Sequence, residues 1–260
     1  MKWGDLKDAL GKLAGGARTP VTNAAPAAGT VANLDALRER LRASDEGTRL
    51  AAIDALERLA ALTPEQHWPV IDLLVGFVRD RCPYLAADAS AGPARDVQRV
   101  IQVIGQRRHV ESERLPLGLF QVDLRNADFS EARLDRADFS RAHLESADFT
   151  GAKLAGANFQ ESFLDDAHFM NATLTGANFL AADLRRANFT GATLRTVHLE
   201  EASLEEAVLV GVRLDGAVLT GANLAGAHLE GADLAGAVGL TREQLTGTTT
   251  DARTVLPHLD

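Results

Sequence analysis

Four of the seven histidines, His143, His168, His198 and His228, are separated by multiples of five residues. Regularly placed histidines are the material of a metal site. Acids stand in adjacent pairs at Asp165-Asp166, Glu200-Glu201 and Glu205-Glu206, an arrangement open to reading as a carboxylate pair or a cation site. Cys82 is the single cysteine, which excludes an internal disulfide and a cysteine-based zinc cluster; beside Pro83 it reads as a half-buried loop thiol rather than a nucleophile. The many glycines would cradle a phosphate only with GxGxxG or Walker spacing, and neither occurs. No triad and no HExxH is present, so no catalytic, cofactor-binding or metal-ligating residue is assigned. What these residues can do depends on the elements that carry them.

Those elements are set by a strict register. From Leu119 to Leu234 every fifth residue is Leu or Phe, 24 positions in succession, 17 Leu and 7 Phe. Two residues before each stands Ala in 19 cases, the exceptions being Leu117, Val122, Ser162, Val197 and Val212. A period of five matches neither the 3.6 of a helix nor the 2.0 of a strand, so the chain must turn at short, regular intervals to keep one face dry. With four pentapeptides to a coil, Phe129, Phe149, Phe169 and Phe189 stack on one side and Phe139, Phe159 and Phe179 on the opposite one, which leaves a filled interior and no channel. Gly recurs two residues after the central position, at 151, 156, 176, 191, 211, 216, 221, 226, 231 and 236, where a type II turn requires positive φ. No proline lies between Pro116 and Pro257, as expected where each backbone N–H is needed by the next coil.

Ala127-Asp128-Phe129, Ala157-Asn158-Phe159, Ala222-Asn223-Leu224 and Ala232-Asp233-Leu234 resemble the A(D/N)LXX unit of the pentapeptide-repeat family. The resemblance implies a right-handed quadrilateral β-helix. It also implies that polar side chains point outward on flat walls, where nothing converges. The four histidines then all point outward; only His168 and His228 share a side, three coils and roughly 14 Å apart at a strand spacing near 4.8 Å, too far for one metal. The paired acids become solvated corners.

The formal charge of −9 is unevenly placed: residues 115–240 carry nine bases and eighteen acids, and 31–113 eleven and thirteen. A surface so acidic is not expected to bind nucleic acid, which needs Lys and Arg to replace its counterions. No apolar run reaches the roughly 20 residues that span a bilayer and no signal-peptide block opens the chain, so the expectation is a cytoplasmic protein.

Trp3, Leu6, Leu10 and Leu13 among lysines place a short amphipathic helix in the first dozen residues, where a peripheral membrane or partner contact would lie, ahead of an Ala/Gly/Pro linker at 15–30. From 31 to 113 the period is helical. Leu34, Leu37 and Leu41 make one stripe; Leu50, Ile53, Leu56 and Ala60 make another after the break at Ser44-Asp45. Thr63-Pro64-Glu65-Gln66 reads as a capping box, with Pro69 predicting an interruption before Ile71, Leu74, Phe77 and Val78. Gly92-Pro93 opens a helix bearing Val97, Val100, Ile101 and Ile104. This segment loosely resembles a HEAT-type repeat; its eleven arginines are open to reading as a basic groove for nucleic acid or acidic peptides, against which thirteen interleaved acids favour solvated helix faces and structural ion pairs. After the last repeat, Thr241-Arg242-Glu243-Gln244 is a second capping box and predicts a short helix within 241–260 over the open edge of the coil.

The expected protein is thus α+β in two domains, an all-α domain at 31–113 and a β-helix at 114–240, preceded by the segment 1–30 and closed by a cap. Its expected function is a non-enzymatic scaffold that binds a protein partner. The alternative drawn from the family is an acidic β-helical dimer that imitates duplex DNA and binds DNA gyrase, conferring resistance to quinolones or natural gyrase poisons. A third class, a membrane-tethered or periplasmic assembly factor, rests on the N-terminal helix alone. Val208, Val210 and Val218, at outward positions of the late coils, are the expected contact surface of a homodimer. The Phe129 side carries Asp128, Glu131, Asp148 and Glu230 with no base. The Leu134 side carries Arg133, Arg136, Lys153, Arg195 and Arg213 against Asp135, Asp215 and Asp233.

Overall fold

The computed structural model describes residues 28–84, 92–108 and 115–258. The amphipathic segment at the N-terminus and most of the linker lie outside them. The chain divides into two compact units, Met1–Asp35 and Ala36–Asp260; everything that follows concerns the second.

Helix α1 (Ala28–Leu41) crosses the division and only its residues from Ala36 on belong to this unit, in which α2 (Glu46–Leu62), α3 (Pro64–Arg81) and α4 (Arg95–Gly105) pack on one another as the helical layer. The break at Ser44-Asp45 works as a start signal, since Asp45 accepts the Thr48 N–H at 2.6 Å. Helices α2 and α3 share Thr63 as the end of one and the start of the other. The expected capping box is not made there: the Thr63 side chain bonds nothing, and its carbonyl instead accepts the Gln66 N–H. Pro69 also fails to interrupt α3. Its missing N–H would have served the carbonyl of exposed Glu65, which water can satisfy, while Val70, Ile71, Leu74, Phe77 and Val78 bury the face that holds the helix together.

A buried ion pair joins three of these helices. Asp96, fully buried at the start of α4, accepts Arg49 Nε at 2.6 Å and the Val97 N–H at 2.9 Å, and lies 3.4 Å from Arg81. Arg49 spends another nitrogen on the carbonyls of Ala43 and Ser44. Cys82 ends α3 with its thiol buried, and desolvation pushes that thiol up to about 11, which keeps it protonated and unreactive at neutral pH.

From Gly118 on, parallel bridges join residues twenty apart on all four sides: Asp128 to Asp148, Arg133 to Lys153, Asp138 to Asn158, His143 to Phe163. A coil is therefore four pentapeptides. At Phe149, Asp148 N–H bonds back to Ala127, Phe149 N–H forward to His168, Gly151 N–H forward to Met170, and Ala152 N–H closes the corner on Phe149, all between 2.7 and 3.0 Å. The Leu, Phe and Ala positions face inward and are buried. Phenylalanines twenty apart stack at 4.8 to 5.1 Å and within 5° of parallel. The two stacks meet edge to face, as at Phe129 and Phe139, 5.5 Å apart and 82° inclined. Rings thus satisfy both favourable aromatic geometries along the axis.

The corners differ from expectation in two respects, the lesser being that Gly236 does not take the positive φ expected of it. Every residue two after a centre, from Gln121 to Gly231, has positive φ, and fourteen of them are not glycine. Each such residue costs about 1–2 kcal/mol of local strain. The corner is held by bonds on both sides of it. The Asp or Asn before the centre accepts the N–H two residues on, as in Asp148 to Thr150 at 2.8 Å and Asn178 to Leu180 at 3.0 Å, and the corner N–H itself bonds to the next coil. This is the structural reason for Asp or Asn in the repeat. Ser162, the one polar residue among the small inward positions, is satisfied by the Phe159 carbonyl at 2.7 Å.

The helical layer closes the first coil. Its outward N–H groups at Asp123 and Arg133 donate to the carbonyls of Cys82 and Gly105, and that at Asp128 to the side chain of Gln98, which returns a bond to the Asp128 carbonyl. At the other end the expected helix does not form. Residues 242–247 are a run of turns, although Thr241 and Gln244 do exchange the reciprocal bonds of a capping box. The backbone there closes turns of the i to i+3 kind, Thr246 N–H on the Glu243 carbonyl and Thr248 N–H on that of Leu245, while the Gln244 side-chain amide donates to the carbonyls of Leu219 and Ala222. The chain then adds two more sides, Thr249 pairing with His228 and Val255 with Asp233.

Candidate functional site

The coil offers four walls, here named by their first central residues. The Leu124 wall carries seven acids and three bases, the Phe139 wall four and one, the Phe129 wall four and none, and the Leu134 wall three and five. The register places each of these side chains outward, and the one-after-another stacking of coils turns every outward position into a ladder.

The histidines sit on those ladders as expected. His168 and His228 share the Phe129 wall with Asn188 and Val208 between them. Three of the four histidines also have a partner that the spacing of histidines alone did not reveal. His143, His198 and His228 each contact the Glu two residues on, at 3.0, 3.1 and 3.5 Å. The signal is the triplet His-Leu-Glu, which occurs three times, once on each of three different walls, so the pairs never converge. Among the described residues no three His, Cys, Asp or Glu side chains form a set that could hold a metal ion.

The acid pairs separate into different cases. Asp165-Asp166 is not a solvated corner: Arg186, one coil on, clasps both carboxylates, with Nε 3.0 Å from Asp166. Hydrogen bonding to Arg186 holds the Asp166 carboxyl below its ordinary value, whereas desolvation raises that of Asp165. Arg185 pairs with Asp183 at 2.7 Å on the same wall. Glu200 belongs to His198, while Glu205 and Glu206 make the exposed corner that was expected.

A second feature of the Leu124 wall is Phe163, which occupies an outward slot where the repeat calls for Asp or Asn. It stacks on His143 at 4.6 Å and 9°, and His143 in turn meets Tyr84 at 4.8 Å. The three rings form an aromatic ladder from the end of α3 onto the coil. Departure from the repeat at Phe163 was its sequence signal.

Val208, Val210 and Val218 are half-buried rather than exposed, because each outward side chain is flanked by those of the coils above and below. The exposed apolar residues of that end lie further on, at Val238, Val255 and Leu256.

Two concavities matter here, one at the junction of helices and coil and one within the helical layer. One, of about 620 Å3, lies between α3 and the first coil, where Arg79 stands over the Phe120 ring at 4.5 Å. The other, of about 240 Å3, opens between α2, α3 and the end of α4, with Ala60, Ala61, Ile71 and Val103 on its walls and Arg58 and Arg108 on its rim. Arg107, buried beside it, donates to the carbonyls of Ile104 and Arg133 and so ties this opening to the Leu134 wall. No described helix is long and apolar enough to cross a membrane.

The sequence matches no curated protein. Among solved structures it is similar to HetL, a pentapeptide repeat protein involved in heterocyst differentiation regulation from the cyanobacterium Nostoc sp. strain PCC 7120, with 29% identity over 55% of this chain and 73% of that one, TM-score 0.36. It is similar to QnrB1, a plasmid-mediated fluoroquinolone resistance protein, with 24% identity over 50% and 78%, TM-score 0.39. A pentapeptide repeat protein from the Arabidopsis thaliana thylakoid lumen shares 31% identity over 48% and 72%, TM-score 0.26. The family profile of pentapeptide repeats matches in eight copies, over residues 119–156, 152–191 and 198–236. With its twenty-residue coils and its interior of Ala below Leu or Phe, the chain belongs to the pentapeptide-repeat family.

Proposed function

We propose that the protein is a non-enzymatic scaffold, a rigid cytoplasmic rod that binds a protein partner along its walls. The observation that carries this reading is the division of labour in the coil: the interior is spent on packing, and the charges are sorted by wall, from no base on the Phe129 wall to a majority of bases on the Leu134 wall. A partner would read one wall and be repelled by another. We take the helical layer at 31–113, the coil at 114–240, wound right-handed, and the cap at 241–260 as the working division of the chain.

The gyrase-binding DNA mimic is the second reading, favoured by the eighteen acids of the coil. Mimicry asks for a continuous acidic stripe. On the Phe129 wall that stripe is broken by His168, Asn188 and Val208, and on the Leu124 wall Arg185 and Arg186 neutralise its middle. A long dimer would pair through Val238, Val255 and Leu256. Supercoiling by purified gyrase, run beside light scattering, separates the readings. The scaffold reading expects supercoiling unchanged at micromolar protein. Inhibition that Val238→Asp abolishes together with a halving of the mass would establish the mimic instead.

A further inference from the structure

The coil is acidic, yet unpaired cations gather where it meets the helices. Arg58 and Arg108 rim the small concavity and are exposed; Arg133 and Lys153 follow as neighbouring rungs on the Leu134 wall, with Arg136 at the adjoining corner. None of these five has an ion-pair partner among the described residues, whereas Arg99, Arg125, Arg141, Arg185 and Arg186 all do. Glu57, the one acid among the described residues that line the concavity, is already held by Arg99 at 2.6 Å. The contact of Arg107 with the Arg133 carbonyl makes rim and wall continuous.

We propose that this strip is the docking site for an acidic segment of a partner protein, which anchors one apolar side chain in the concavity and lays its carboxylates along Arg58, Arg108, Arg133 and Lys153. Charge complementarity selects the partner: on a protein of net charge −9, an acidic chain is repelled from the Phe129 and Leu124 walls and attracted to this strip. The concavity selects an anchored peptide over nucleic acid. Ala60, Ala61, Ile71 and Val103 give it an apolar patch among Glu57, His67, Gln106 and Arg107, and Leu62 stands 82% exposed next in the chain to Ala61, so an apolar side chain finds cover there that a phosphodiester backbone cannot use. At about 240 Å3 it is smaller than the roughly 300–1,000 Å3 usual for a small-molecule site and suits a single Leu or Phe side chain, the kind of buried anchor that dominates interface energy.

The proposal rests on the protein being a binding module, but not on gyrase or on the acidic walls. Its probe is a fluorescein-labelled peptide of glutamates around one Leu-Phe pair, titrated against the full chain by fluorescence anisotropy. Saturable binding is expected. The double variant Arg58→Glu/Arg108→Glu and, separately, the cavity-filling Ala61→Trp should each weaken it at least about tenfold, with the circular dichroism of the helices unchanged. Replacing Leu-Phe by Ser-Ser in the probe should weaken it as much. No saturation by about 1 mM, or affinity indifferent to both variants, overturns the proposal. Tighter binding of an oligothymidylate than of the peptide overturns it in favour of nucleic acid. A protein that inhibits gyrase while ignoring the peptide sinks this site and the scaffold reading separately, because the two assays address different faces.

Discussion

The two ends of the coil face the same physical problem and solve it differently. Each exposes a row of backbone donors and acceptors that would otherwise recruit another chain. At the first coil the answer is a folded layer with its own core: carbonyls at the ends of α3 and α4 and the Gln98 amide take the open N–H groups, and Gly105 lies so close that an added Cβ would stand 2.7 Å from that of Ala132. At the last coil the answer is imitation. Gln244, Thr249, Val255 and Thr254 reproduce the bonds of another coil, with Thr254 reaching the Leu229 carbonyl at 2.9 Å, but among the described residues no apolar layer covers them. Val238 remains 57% exposed as a result. Satisfying an edge and covering it are separable, and only the first end does both.

The comparison can be broken most severely at the layer's ion pair. Asp96→Ala leaves Arg49 charged and buried without its carboxylate, and should cost about 3–5 kcal/mol in chemical denaturation. If the variant loses under 1 kcal/mol, the layer is not the folded cap described here. Gly105→Val comes next: the added atoms meet the Ala132 methyl, which cannot rotate away, so α4 must lift from the coil at about 1–3 kcal/mol. Hydrogen exchange should then rise at the Arg133 N–H. An unchanged rate there would show the contact to be slack.

At the other end the effects should be smaller. Gln244→Ala removes the donor to two carbonyls and should cost about 1–2 kcal/mol; Gln244→Glu keeps the acceptor for Thr241 but not the donor, and should cost as much. A Glu variant as stable as the parent would mean that the Thr241 bonds matter and the edge does not. The smallest effect is one of pH. Hydrogen bonding from Arg253 depresses Asp251 to about 2, and its carboxylate accepts the Gly231 N–H at 2.9 Å. Its folded form binds a proton less readily than the unfolded chain, so its contribution is whole above the ordinary carboxyl pKa near 3.9 and fades as pH falls toward about 2. Exchange at Gly231 should accelerate over that window in the parent and show no such step in Asp251→Asn.

Much of this was legible in the chain. The five-residue period required a coil with regular corners whatever its surroundings, because only these keep Leu, Phe and Ala on one dry face, and the alternating Phe and Leu centres supported four sides and foretold the two ring stacks. The acid-rich walls followed by counting. Local signals were decisive where nothing distant competed, as at Asp45, and misled where something did. Thr241 and Gln244 form the capping box their spacing predicts, yet the chain turns at once to pair Thr249 with His228 across the last coil, and no helix follows. Pro69 sits in an unbroken helix because the buried face of α3 outweighs one lost bond. The clasp of Arg186 on Asp165 and Asp166, the ladder of Tyr84, His143 and Phe163, and the cations around the concavity depend on which residues come to lie one coil apart or across the junction. Periodicity fixes what points inward; which outward groups meet is a matter of tertiary distance, and charges and rings find their partners only there.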